Sequence, residues 1–129
     1  MLKRSYDNKK AALFLLSVHC YDSSAVAFYY AVFQRMMYAL DHAEKRPLHF
    51  DSQNPLNEDI HFKILSEIQN RLPGKESELY AEQFMKLFNY RKKADYQMDS
   101  ISLDDCLICR DLYDWLIGKM NRFFPIKGD

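Results

Sequence analysis

The stretch Ala25-Val26-Ala27-Phe28-Tyr29-Tyr30-Ala31-Val32-Phe33-Gln34-Arg35-Met36-Met37-Tyr38-Ala39-Leu40 decides the fold. Sixteen residues pass without glycine or proline, and only one is charged. Ala25, Tyr29, Val32, Met36 and Leu40 recur at helical spacing. Val26, Tyr30, Phe33 and Met37 widen the apolar stripe until it wraps much of the helix. A helix of that kind is buried on several sides, so other helices must surround it. The triplet Asp22-Ser23-Ser24 offers caps for its start.

Working outward, four further segments fit the same period. An N-terminal helix is expected over about Asp7 to Cys20, with Leu13, Leu16 and Cys20 on one face. Pro47 interrupts the pattern, and a polar loop follows. Asn54-Pro55 reads as an N-cap with proline in the first turn. Ile60, Ile64, Ile68 and Leu72 then mark a third helix, stopped by Pro73-Gly74. Tyr80, Phe84, Leu87 and Phe88 mark a fourth, which fades near Arg91. Ser102 with Asp105 forms a carboxylate version of the capping box. The last helix then aligns Cys106, Cys109, Tyr113, Leu116, Met120 and Phe123, and Pro125 ends it. The expectation is one all-α domain over residues 1–129, an antiparallel up-and-down bundle of four to five helices.

Composition narrows the function classes. Hydrophobic residues make up 48% of the chain, enough for a true core at 129 residues. Eighteen basic side chains balance eighteen acidic ones, so any nucleic-acid contact must come from a local patch. Three cysteines cannot all pair within one chain, which suits reduced thiols in a cytoplasm. Lys3, Arg4, Lys9 and Lys10 precede the apolar run Ala11 to Val18, as in a secretory leader. Asp7, Asn8 and His19 spoil that pattern, and no stretch is long enough to span a bilayer.

Each candidate site has a plain structural alternative. Cys106-Leu107-Ile108-Cys109 has the spacing of half a zinc site, but Cys20 stands alone as the third thiol. Both cysteines fall on the apolar stripe, where they read as small core residues. Glu58-x-x-His61 has the spacing of a di-metal bundle motif. The chain has no second copy, so surface polar residues are the expectation, and no metal or other cofactor is implied. Arg35 and His42 share a helix face, where an arginine could hold phosphate while an imidazole moves protons. Tyr29 and Tyr30 suit base stacking or core packing. Lys9-Lys10 and Arg91-Lys92-Lys93 could touch phosphates or simply end helices in solvent.

Tyr90-Arg91-Lys92-Lys93-Ala94-Asp95-Tyr96 is read as lying between the fourth and last helices. Arg91, Lys92, Lys93 and Tyr96 are the candidate binding residues, with Asp95 as an ion-pair partner. Here the chain resembles the HEPN family, the higher eukaryote and prokaryote nucleotide-binding domains. Residues Ser24 to Phe33 are similar to the family's helix containing alanine-tyrosine-tyrosine. Arg91-Lys92-Lys93-Ala94-Asp95-Tyr96 is similar to the arginine plus Ala-Asp-Tyr segment of one subset, and a closing helix follows Ser102.

The resemblance implies an antiparallel helical bundle, often homodimeric. Many such proteins are metal-independent ribonucleases of defence or toxin–antitoxin systems. Others bind RNA, nucleotides or a partner such as a nucleotidyltransferase without cutting anything. The nuclease signature is an arginine and a following histidine with four to six residues between them, paired across the dimer. Arg91 matches the arginine, but Lys92 to Met98 hold no histidine, and Tyr96 takes its first place. A phenol with a reference pKa of about 10 is a poor proton shuttle beside an imidazole at about 6.5. The resemblance therefore points to a non-catalytic binding domain. The alternatives are a ribonuclease using Arg91 with Tyr96, Asp95 or remote His42, and an accessory module in which Arg91 and Asp95 only fasten helices.

Overall fold

The computed structural model describes residues 1–49, 58–97 and 100–126. Within them are five helices and no strand: α1 (Leu2–Ser17), α2 (Tyr21–Asp41), α3 (Glu58–Gln69), α4 (Lys75–Tyr96) and α5 (Leu103–Phe123). The all-α bundle is present, and α2 is its axis. Phe28, Tyr29, Val32, Phe33, Met36 and Leu40 are all shielded from solvent. Among the described residues, no helix is long and apolar enough to cross a membrane.

Paired contacts give the directions. Ser5 Oγ donates to the Ala31 carbonyl and Ser24 Oγ to that of Ala12, so α1 runs antiparallel to α2. Phe62 meets Phe88 while Lys92 meets Glu58, so α4 runs antiparallel to α3. Lys119 meets Glu76 and Lys93 meets Asp105, which makes α5 antiparallel to α4. α3 returns in the same general sense as α2: His61 lies beside Phe33, and Arg71 reaches the carbonyls of Lys45 and Arg46.

Several local expectations change. α1 starts earlier than its apolar run and buries Ser5 and Ala12 rather than Leu13. Two serine hydroxyls bond to backbone carbonyls across the α1–α2 contact, and small residues let the helices approach. Leu15 and Leu16 pack partly buried against the core, whereas Tyr6, Leu13, Phe14 and the C-cap residue Val18 are exposed. Asp22-Ser23-Ser24 does not cap α2, which begins at Tyr21 with Cys20 as an N-cap lacking a side-chain bond. Ser24 serves α1 instead, and Asp22 Oδ1 accepts from the Ile101 N–H at 3.0 Å, tying the approach to α5 onto the start of α2. The cap proposed at Asn54-Pro55 lies outside the described residues. Ser102 and Asp105 form the full reciprocal capping box of α5.

Cys106 and Cys109 are buried, unpaired core thiols. Burial pushes the Cys109 thiol up to about 12 and raises Cys106 as well. Both therefore stay protonated, the opposite of what a metal ligand or redox thiol requires.

Candidate functional site

Arg91 lies inside α4, more than a turn before its end, because that helix continues to Tyr96 instead of fading at Arg91. Tyr90 to Tyr96 is thus helix and not a connecting segment. The difference decides which side chains can meet. Arg91 and Asp95 are four residues apart on one face. Tyr96 is five residues from Arg91, which turns it about 140° away around the helix.

The guanidinium of Arg91 is heavily used. Its Nε lies 2.9 Å from Asp95 Oδ2, an ion pair not aligned as a hydrogen bond. One Nη donates to Tyr30 Oη at 3.2 Å. The charged carbon stands 5.6 Å from the ring centres of both Tyr29 and Tyr30, and 5.9 Å from Phe88. Only 15% of the side chain is exposed. Lys92 pairs with Glu58 at 3.2 Å, and Lys93 stands 3.8 Å from Asp105. Each of the three cations in the segment thus already faces a carboxylate of the chain. Tyr96 is 73% exposed and stands apart from this cluster.

His61 is the residue that sequence reading misplaces. It is 1% exposed, not a surface polar group. Its ring is stacked on Phe33 at 4.1 Å and on Tyr29 at 5.6 Å, and its Nδ1 shares a hydrogen bond with the Tyr29 hydroxyl. Burial, with Arg91 adding to it, pushes the imidazole down to about 4. At neutral pH it is an uncharged ring inside an aromatic box. Burial likewise pushes the Tyr29 hydroxyl up, so it stays protonated. A signal for His61 existed: it precedes Ile64 by three residues and Ile68 by seven, on the stripe that α3 buries.

The Arg35–His42 pair does not assemble. Arg35 is 2% exposed and donates to the Phe124 carbonyl at 2.5 Å, to the Met120 carbonyl at 3.4 Å, and to Asn121 Oδ1. It caps the C-terminal end of α5, whose partial negative charge suits a cation. His42 is exposed, stacked on Tyr38 at 4.1 Å, and lies twelve residues, roughly 18 Å of helix, beyond the Tyr30 that holds Arg91. Arg91 therefore meets neither Tyr96 nor His42. The histidine that does approach it is enclosed and neutral.

No family model, no curated protein and no solved structure matches this chain.

Proposed function

We propose that this chain is a non-catalytic, HEPN-like helical domain that works by binding a protein partner, in the first instance a second copy of itself. The observation that carries this reading is the outward face of α1. Leu15 and Leu16 pack against the core, but other large apolar side chains face solvent, with Phe14 64% exposed and Tyr6, Val18 and Leu13 above 40%. A helix that presents tyrosine, leucine and phenylalanine to solvent has apolar surface free for another protein.

The same domain reads poorly as an enzyme. Arg91 is engaged by Asp95 and Tyr30, and its one histidine neighbour is buried and uncharged. A second reading, RNA binding, draws on the exposed Arg4, Lys9 and Lys10 beside the α1 aromatics rather than on Arg91 to Lys93.

Light scattering with and without a mixed RNA pool, followed by inspection of the RNA, tests both readings. The expected result is a dimer of the chain, intact RNA, and a monomer for the double variant Leu13→Glu/Phe14→Glu. A wild-type monomer would remove the self-association reading. RNA cleavage lost in Arg91→Ala would restore the ribonuclease.

A further inference from the structure

The far end of the bundle carries a cleft that the α1 reading does not involve. It has a volume of about 410 Å³, within the usual range for small-molecule sites. It opens where α2, α3 and α5 end. Tyr38, Phe123 and Phe124 supply aromatic walls. Lys45 and Arg46 supply positive charge; Glu44 lines the cleft beside them, and the third cation, Arg71, stands 3.7 Å from the Glu67 carboxylate.

Helix C-termini normally repel anions, so the balance of charge at this end matters. Several of the carbonyls concerned are engaged. Arg35 takes those of Met120 and Phe124. The Leu40 carbonyl accepts from Leu48 N at 2.9 Å, and the Tyr38 carbonyl accepts from His42 N at 3.0 Å. At the end of α3, Ile68 and Gln69 accept from Arg71 N and Leu72 N. These bonds offset part of the negative helix ends, and the side-chain cations oppose the remainder.

The loop that carries Lys45 and Arg46 is held in place. Arg71 donates from Nη1 to the Lys45 carbonyl at 2.8 Å and from Nη2 to the Arg46 carbonyl at 2.7 Å. Arg46 adopts φ of +50°, the left-handed region that side chains other than glycine and asparagine seldom occupy. Such strain persists only where surrounding contacts over-determine it, and it collects at ligand clamps. Lys45 and Arg46 themselves are exposed at the mouth.

We propose that this cleft binds a small planar anion, an aromatic ring system bearing one phosphate or carboxylate group. The ring lies against Tyr38 and the Phe123–Phe124 pair. The anionic group meets Lys45 and Arg46, with Arg71 as the positioning residue that fixes their loop. No residue of α1 lines the cleft, so this inference does not depend on dimerisation.

Amide-resolved NMR titration of the full chain tests it, with 1-naphthyl phosphate as the probe and 1-naphthol and inorganic phosphate as controls. Saturable shifts confined to residues 38–46, 70–71 and 123–124, at least tenfold tighter than for either control, are expected. Lys45→Glu/Arg46→Glu, at two exposed positions, should weaken the probe at least tenfold while leaving the helical circular dichroism unchanged. Competition by adenosine or uridine monophosphate would identify a nucleotide as the source of this chemistry, and competition only by benzoates would identify an aryl acid. Equal affinity for naphthol, equal affinity for bare phosphate, or no response to the charge reversal would overturn the proposal.

Discussion

His61 and Arg91 are neighbours with opposite demands on charge. The imidazole is folded in as a neutral ring, and its pKa is lowered to about 4 by burial first and by Arg91 second. In the unfolded chain it titrates near 6.5. Because the folded value is the lower one, the stabilisation is complete above about 6.5 and is lost as pH falls toward 4. The size of the shift corresponds to about 3 kcal/mol. Urea unfolding at several pH values should show that loss in the native chain, and His61→Leu should flatten the slope across the same window. A parallel slope in the variant would assign the acid sensitivity to another group. Arg91 holds Asp95, Tyr30 and three aromatic faces at once. Arg91→Ala should destabilise the fold by about 2 kcal/mol, and Arg91→Lys should not restore it, since an ammonium cannot serve the fork and the rings together. An unchanged unfolding midpoint in Arg91→Ala would free this residue for a binding role.

At the scale of single elements, α1 is the informative helix. Its end is a Schellman arrangement: Cys20 N bonds to the Leu15 carbonyl at 2.8 Å and His19 N to that of Leu16 at 3.2 Å. The residue in the left-handed position is His19, at φ of +65°, where glycine is the usual occupant. Relief of that strain in His19→Gly should raise stability by about 1 kcal/mol, measured as a higher unfolding midpoint with an unchanged denaturant slope. A lower midpoint would mean that the stacking of His19 on Tyr21, with centroids 5.8 Å apart, outweighs the strain. The α5 capping box and the cysteine stripe were legible in advance because each depends on near neighbours in the chain. The inward face of α1 was not. Its fully buried residues are serine and alanine, and an apolar pattern gives those residues little weight.

On the scale of the whole molecule, the two ends and the outer face are separable. The Leu13→Glu/Phe14→Glu double variant touches only exposed positions, so its unfolding free energy should stay within about 0.5 kcal/mol of the native chain while any dimer dissociates. Loss of folding along with the dimer would mean that the protomer depends on association for its stability. The candidate site was legible only in part. Arg91 with Asp95 could be read as an ion pair from four-residue spacing, and the pair is present. Lys92 with Glu58 and Lys93 with Asp105 could not, because those partners arrive from α3 and α5.

The sequence by itself determined the helical class, the central position of α2, the cap of α5 and the core placement of Cys106 and Cys109. All of these follow from periodicity and from neighbours within one or two turns. Only the tertiary structure decided that His61 is enclosed, that Arg35 caps α5 rather than facing His42, and that α1 leaves Tyr6, Leu13 and Phe14 outside. It also decided that a cationic, aromatic cleft forms where three helices end. The physical reason is common to these cases. A polar side chain is buried, or an apolar one left outside, according to what a distant segment brings to meet it: a tyrosine hydroxyl for His61, the end of a helix for Arg35, a row of small residues for α1.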